Sequence, residues 1–382
     1  KTGQDGRKML ILLLLGLLLA FLLQRIIYEK NWKKRLDVTL KFQDSWIYEG
    51  EKSALKEVVK NDKLLPIPAL EVGIAMSRNL RFDKGAEANS NVTDQSYKRD
   101  IFSFLFHQQI TRTLPFEAKK RGIYQIENAR IVAYDLFFKN NYYEEYAQQT
   151  SIYVYPRQVD TRRIQMVCQA LSGMILSRNC LYEDPFEFAG IREYRKEDPM
   201  NRINWKTSAR AGELMVNQFD STTNIEVTIL LDVKDDDILK EEELIEESIR
   251  IVSSLTGRLV KSKMEVQVRS NALDKETKEK LEEHLTAGAG RCAVLNRKLA
   301  GLETEEAVET GMKVLEEEIK HQKKNQTYVV ISKNQSSEMQ VAVQKLSKAG
   351  SPVLWVVPFY SDTEFLVSSK YLVSVIGWEV NR

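Results

Sequence analysis

Residues 186–219 read Phe186-Glu-Phe-Ala-Gly-Ile-Arg192-Glu-Tyr194-Arg-Lys-Glu-Asp198-Pro-Met-Asn-Arg202-Ile-Asn-Trp205-Lys206-Thr-Ser208-Ala-Arg210-Ala-Gly-Glu-Leu-Met-Val-Asn-Gln-Phe219. Six Lys/Arg and three Asp/Glu fall within residues 191–210, with Tyr194 and Trp205 set among them. The stretch runs into Val227-Thr-Ile-Leu-Leu-Asp232-Val, a continuous apolar run of the kind carried by a strand buried on both faces. Such a strand belongs to a parallel sheet covered by helices, and this sets the reading of everything downstream.

Beyond that strand, helical and extended patterns alternate. Residues 240–261 read as a helix, with Glu241, Glu242, Glu243, Glu246 and Glu247 near its start and Arg258 and Lys261 at its end. That order complements the helix dipole. β-Branched runs at 264–268, 327–331 and 353–357 predict strands, and residues 274–285, 303–322 and 336–348 predict helices. The alternation implies an α/β, doubly wound, mostly parallel domain over 220–382. Residues 371–380, ending Ile-Gly-Trp378-Glu-Val, are expected to add an edge strand.

Working back from the signature, residues 157–219 are expected to connect two domains, with a helix over 164–176. Residues 36–156 have a different period. Leu36-x-Val38-x-Leu40-x-Phe42 alternates as a half-buried strand does. Short apolar runs follow at 55–59 and 69–76, then Phe102-x-Phe104-x-Phe106, Leu114-x-Phe116, Tyr124-x-Ile126 and Ile152-x-Val154. About seven to nine short strands separated by turn residues predict a β-sandwich.

Residues 9–23 are fifteen uninterrupted apolar residues, and Ile26, Ile27 and Tyr28 extend the run past Gln24 and Arg25. Read from 9 to 28, the run makes a helix of about 30 Å, one bilayer crossing with Arg25 snorkelling to the interface. A secretory signal peptide is the competing reading, and no small-x-small cleavage pattern follows to support it. Arg25, Lys30, Lys33, Lys34 and Arg35 outnumber Lys1, Arg7 and Lys8, so the positive-inside rule places the C-terminal domains in the cytoplasm. The expectation is a cell-membrane protein that passes the lipid bilayer once in this chain. The sequence starts at Lys1 rather than a methionine, and a further helix upstream would make the full protein two-pass.

The balance of 56 basic against 54 acidic residues, net +2, gives no global field that would draw nucleic acid. Cys168, Cys180 and Cys292 are odd in number and form no Cys-x-x-Cys, which argues against a disulfide framework and a thiolate zinc site.

The stretch at 186–219 resembles the signature of the bacterial family called domain of unknown function 58 (DUF 58). In words, that pattern is Leu-Arg-x-Tyr-x-x-Gly-Asp, a few residues, Arg-x-Ile-x-Trp-Lys-x-Ser-Ala-Arg, then a strand ending in Asp. Arg192, Tyr194, Asp198, Arg202, Trp205, Lys206, Ser208 and Arg210 carry it here, and Asp232 ends the strand. Arg121-Gly122-Ile-Tyr124 and Asp135-Leu-Phe-Phe resemble the family's Arg-Gly-x-Tyr and Asp-Pro-Phe-Gly-Leu, without the proline and glycine of the second element. Glu197 stands where the family has a glycine before Asp198, which implies an altered turn or a strained Glu197. The resemblance implies a von Willebrand factor A-like C-terminal domain. It also implies work with MoxR-type AAA+ ATPases and other von Willebrand A proteins in envelope or protein-complex maturation.

Domains of that kind hold Mg²⁺ on Asp-x-Ser-x-Ser, with a Thr and an Asp from later loops. Here the first loop reads Asp232-Val-Lys234-Asp-Asp236, and Ser332-Lys333-Asn334 stands where the last acidic ligand is expected. Lys234 brings a cation where a cation should bind, so the site is read as degenerate at Asp232, Lys234 and Asp236, with no metal and no cofactor. His107, His284 and His321 lack partners at metal-ligand spacing, and a serine nucleophile would lack its base. Gly288-Ala-Gly290-Arg-Cys-Ala293 matches a dinucleotide motif in letters, but follows a stretch read as helical and is taken as a loop.

The signature itself has two readings. In the first, Tyr194, Ile203 and Trp205 pack while Arg192, Arg202, Lys206 and Arg210 pair with Glu193, Glu197 and Asp198 as an interdomain clasp. In the second, the basic residues stay exposed and grip an anionic partner. The clasp is the favoured reading. The whole is read as an α+β multidomain, non-enzymatic membrane scaffold with protein partners and no nucleic acid. A metal-dependent adhesion-type ligand binder is the alternative, and a hydrolase using Asp232 and Asp236 a third.

Overall fold

The computed structural model describes residues 2–82, 88–92, 95–181, 188–195, 198, 200, 203–219, 226–235, 240–286, 290–304, 310–321, 326–367 and 373–381. The chain divides into two compact units, Lys1–Arg157 and Gln158–Arg382.

The first unit opens with helix α1 (Thr2–Asn31), followed by β1 (Leu36–Phe42), β2 (Trp46–Tyr48), β3 (Lys52–Asn61), β4 (Ile67–Ser77) and β5 (Leu80–Phe82). It continues with β6 (Ala88–Val92), β7 (Gln95–Phe104), β8 (Gln108–Ala118), β9 (Gly122–Tyr134) and β10 (Asn141–Tyr155). The strands form one sheet in the order β1-β3-β8-β5 and another in the order β2-β10-β9-β4-β7-β6. The alternation read in β1 is the cause of its packing: Leu36, Val38, Leu40 and Phe42 point inward and their neighbours outward. They share one core with Leu55, Val59, Leu114 and Phe116 of their own sheet and Val72, Ile74, Ile131 and Ile152 of the other. Two sheets facing across one core form a β-sandwich.

Residues Met9–Asn31 of α1 are long and apolar enough to cross a membrane. The C-terminal part of the helix docks on the sandwich. Tyr28 and Trp32 are buried, the Tyr28 hydroxyl donates to the Pro66 carbonyl at 2.7 Å, and Trp32 stacks on Tyr142 at 6.0 Å between ring centroids. Phe138, which stands where the resemblance has glycine, adopts φ +55 in the loop after β9. That left-handed conformation explains why a glycine suits the position.

The second unit contains α2 (Thr161–Leu181), β11 (Phe188–Glu193), α3 (Trp205–Ala211), β12 (Met215–Phe219), β13 (Glu226–Leu231) and α4 (Glu242–Lys261). Then come β14 (Glu265–Leu273), β15 (Lys280–Leu285), α5 (Arg291–Gly301), α6 (Gly311–Lys320), β16 (Gln326–Ile331), α7 (Ser337–Lys348), β17 (Val353–Tyr360) and β18 (Ser374–Val380). The main sheet runs β15-β14-β13-β16-β17-β18, parallel throughout except for the antiparallel pair β14–β15.

Ile229 and Leu231 of β13 pack with Leu255 of α4, Leu299 of α5 and Val167 of α2, whereas Leu230 packs with Leu315 of α6 and Val343 of α7. The two faces of one strand thus reach two apolar clusters, which is why its sequence shows no alternation. Helix α2 contributes Ile164, Val167, Leu171 and Ile175 to the first cluster, so residues read as a connection build the core of this unit.

One element differs in kind from its sequence reading. The predicted helix over 274–285 is instead the edge strand β15, paired with β14 through Val266↔Leu285 and Val268↔Glu283. Leu281 and Leu285, four apart, suit a helix face equally well, and long-range pairing overrides the local preference. The segment before the Gly288-x-Gly290 motif is therefore a strand, not a helix. That strand is an antiparallel edge, so it does not supply the parallel β-turn-α unit that cradles a dinucleotide. Residues 288 and 289 of the motif lie outside the described residues.

Candidate functional site

β13 and β16 are neighbours, and the sheet grows from them in opposite directions, through β14 on one side and β17 on the other. In open α/β sheets that switch point leaves a crevice at the carboxyl ends of the strands, where function collects. Asp232 follows β13 directly and its N–H still donates to the Ile331 carbonyl at 3.0 Å. Its carboxylate is buried and closely held. Oδ1 accepts from Asn271 Nδ2 at 2.7 Å and from the Lys234 N–H at 3.1 Å, and Oδ2 accepts from Ser332 Oγ at 2.8 Å. Asn271, at the end of β14, also accepts from the Val233 N–H at 3.0 Å.

The first residue of α6 closes the other side. A Cβ at Gly311 would lie 2.3 Å from Asp232 Cγ, so only glycine lets the helix start this close to the carboxylate. The helix N-terminus in turn favours the negative charge.

Beside Asp232 lies a second group that the sequence reading did not identify. Lys333 is buried, its Nζ 2.6 Å from Asp235 Oδ1 and 3.3 Å from Glu241 Oε2. Asp235 Oδ2 also accepts from the Glu241 N–H at 2.7 Å. The cation expected to oppose metal was Lys234. The structure gives that position to Lys333, whose ammonium lies among carboxylates, while Lys234 lends its backbone N–H to Asp232 and lines the crevice. The sequence signal for Lys333 is in Ser332-Lys333-Asn334, where a lysine stands in place of the expected acidic ligand. Asp236 lies outside the described residues. The crevice opens into a cleft of about 520 Å³ lined by Lys234, Glu241, Met312, Lys333, Phe359 and Leu366 among others. Among the described residues, no group of three or more His, Cys, Asp or Glu is placed to hold a metal ion.

The signature forms its own small body, in which the hairpin sheet β11–β12 carries α3. Arg192 forks onto Asp198 through two bonds of 2.7 and 2.6 Å, and Asp198 also accepts from the Arg195 N–H at 2.8 Å. The guanidinium and that N–H hold the Asp198 carboxyl down to about 2. Asn204 caps α3 by accepting from the Thr207 N–H at 3.0 Å. Ser208 ties α3 to β12, its buried hydroxyl accepting from the Met215 N–H at 2.8 Å and donating to the Asn204 carbonyl at 2.8 Å. Gly212 ends the helix at φ +76, the left-handed cap that glycine accepts without strain.

These contacts account for Arg192, Asp198 and Ser208 as structural residues. Tyr194 is half-buried and its N–H donates to the Leu214 carbonyl. Trp205 corrects the expected packing. It is 67% exposed, because the buried side of this short helix is taken by Ser208, and Ile203 and Val216 form the apolar contact beneath. Lys206 and Arg210 of the same helix are exposed as well. Arg202 and Glu197 lie outside the described residues. Trp205, Lys206 and Arg210 are thus exposed rather than packed or paired as the clasp reading expects.

Cys168 and Cys292 are free thiols whose pKa is pushed up by burial, against thiolate formation. His107 sits in a turn at φ +51 with Nδ1 2.9 Å from Asp62, His284 Nε2 is 3.6 Å from Glu226, and His321 caps the end of α6.

Fold and site together define a mixed α+β protein with an N-terminal apolar helix, several β-sheets and a strand-end crevice holding its own cation. The model of the family described as protein of unknown function DUF58 matches residues 190–354, spanning the signature and most of the parallel sheet, and this supports the DUF58 family. No curated protein matches the chain. Among solved structures, a CARDB domain from Pyrococcus furiosus is 16% identical over 31% of this chain and 94% of its own, at a TM-score of 0.19. A non-cellulosomal cohesin from the archaeon Archaeoglobus fulgidus is 10% identical over 34% of this chain and 97% of its own, at a TM-score of 0.21. Likenesses this weak decide nothing about this chain.

Proposed function

We propose that the protein is a membrane-anchored, non-enzymatic scaffold whose parallel-sheet unit is a von Willebrand A-like domain working without metal. Its signature helix α3 docks a protein partner. The carrying observation is that Trp205, Lys206 and Arg210 are all exposed on the one short helix α3. A large aromatic and an arginine on a rigid, capped helix are the residue types that dominate protein–protein hot spots. The cations suit an acidic partner surface. The resemblance points to a MoxR-type AAA+ ATPase as that partner, and the basic excess after Tyr28 puts both units on the cytoplasmic side, where ATP is available.

The von Willebrand A-type reading is supported by the strand order and by Asp232 at the end of the central strand. Metal independence is supported by the Lys333 ammonium among Asp235 and Glu241. The test is binding of the source organism's purified MoxR-type ATPase, locked in its ATP state, to the full chain in lipid nanodiscs. Saturable binding that weakens as salt rises is expected. No binding in any nucleotide state would remove the proposal.

A further inference from the structure

Exposed apolar residues gather at the end of the sandwich where α1 docks. Three loops meet there: residues 62–66 after β3, 105–107 after β7 and 135–140 after β9. Asn61 Nδ2 donates to the carbonyls of Leu65 at 3.1 Å and Leu105 at 2.7 Å, and the His107 N–H donates to the Lys63 carbonyl at 3.1 Å. The first two loops are thus tied to each other. Lys63 Nζ donates to the Trp32 carbonyl at 2.7 Å, and Gln24 of α1 donates to Asp135 at 3.4 Å. All three loops therefore gather round the helix.

Their tips are apolar and uncovered. Leu64 is 76% exposed, Leu105 64%, Phe106 60%, Phe137 62% and Phe138 59%. Soluble surfaces scatter such residues singly, and a cluster of this kind marks an interaction site. Phe138 is moreover held at φ +55, a conformation costly for a phenylalanine, and the loop keeps its ring outward there.

The position of the helix identifies what covers the patch. Phe21 of α1 touches Phe137, 5.5 Å between ring centroids, and Lys139 Nζ lies 5.2 Å over the Phe21 ring. Phe21 belongs to the apolar span Met9–Asn31. From residue 9 to residue 21 the helix rises only about 18 Å, whereas a bilayer's hydrocarbon core is about 30 Å thick. With residue 9 at the far face, Phe137 lies roughly 10 Å inside the near one. Arg25, Lys30, Lys33 and Lys34 then fall around the helix exit, where lysine and arginine snorkel to anionic headgroups.

We infer that the sandwich does not hang from its anchor but stands in the membrane, its three apolar loop tips embedded beside α1 at the boundary between acyl chains and headgroups. The inference rests on the reading of α1 as a transmembrane anchor.

The test uses the full chain with Cys168→Ser, Cys180→Ser and Cys292→Ser, in bilayers of phosphatidylcholine and phosphatidylglycerol. Nitroxide labels are placed one at a time at Phe106→Cys, Phe138→Cys, Leu15→Cys on the helix, and Lys119→Cys at the far end of the sandwich. Labels at 15, 106 and 138 should favour oxygen over a nickel chelate as collision partner, with 15 the deepest, and the label at 119 should favour the chelate. Water access at 106 and 138 with lipid at 15 overturns the inference and leaves the anchor standing. Water access at 15 overturns the anchor and the inference with it. Low access to both reagents at 106 and 138 means that protein covers the loops, which also overturns it. Should the serine replacements unfold the chain, benzoylphenylalanine at 106 and 138 in the native-cysteine chain gives the same decision. Phospholipid adducts on irradiation are expected, and their absence alongside adducts at 15 contradicts the inference.

Discussion

Glu57 is fully buried between the two sheets of the sandwich, near Asp100 and Lys98 of β7 and Arg112 of β8. Burial first, and the neighbouring Asp100 charge second, push its carboxyl from an ordinary value of 4.5 up to about 8, with Lys98 and Arg112 pulling the other way. In the unfolded chain the group loses its proton near 4.5, whereas in the native state it keeps the proton until about 8. The native state therefore binds more protons across that window, and stability falls as pH rises through it, on the order of 3–5 kcal/mol for this group. Denaturant melts of the full chain from pH 4.5 to 8 should show the decline, and Glu57→Gln should flatten it and raise stability at pH 8. An unchanged slope in Glu57→Gln would place the titrating group elsewhere. The run at 55–59 was legible as a strand, but the burial of its charge depends on β7, some forty residues away in the chain. Local pattern cannot show that.

At the scale of elements, legibility followed the strength of the local signal. β13 announced itself through an unbroken apolar run, and α4 through glutamates at its start and basic residues at its end. Strand β15 is not legible locally, because leucines four apart on a charged stretch fit either period. The loops after β13 and β16 were read for metal ligands, one loop at a time. What they form is a joint arrangement, Lys333 from one with Asp235 from the other and Glu241 beyond it. Removing one member of a buried ion cluster leaves the others uncompensated, a loss of about 3–5 kcal/mol. Lys333→Ala should lower the melting temperature of this unit accordingly, by calorimetry, whereas Lys348→Ala, at an exposed position of α7, should leave it nearly unchanged. Equal melting of the two variants would show that Lys333 contributes no more than an exposed lysine. With the native residues, calorimetric titration with Mg²⁺ or Mn²⁺ should give no saturable binding in the micromolar range. One-to-one binding that disappears in Asp232→Ala would overturn the metal-free reading.

The whole molecule comprises an apolar helix, a sandwich and a parallel-sheet unit, and the proposal has both units on the cytoplasmic side. A cysteine introduced at the exposed Lys348 of α7 should resist an impermeant thiol reagent in intact cells and react after permeabilisation. Rapid labelling of intact cells would put the units outside. The sandwich and the parallel sheet were both legible as patterns, and the signature was legible as a unit. The role of its aromatic was not, since the letters Ile203-Asn-Trp205 do not say which side chain faces inward. The structure turns Ile203 inward and leaves Trp205 exposed, and on that exposure the proposed recognition role rests. An exposed side chain changes stability by only about 0.5 kcal/mol when truncated, whereas a hot-spot residue costs its complex about 2 kcal/mol or more. The most direct measurement therefore compares melting and ATPase binding side by side for the full chain in nanodiscs, carrying Trp205→Ala or Arg210→Ala. The account predicts unchanged melting for both variants with binding of the MoxR-type ATPase weakened by about tenfold or more. Native-strength binding in both variants, or a loss of binding that appears only together with a loss of folding, would contradict it.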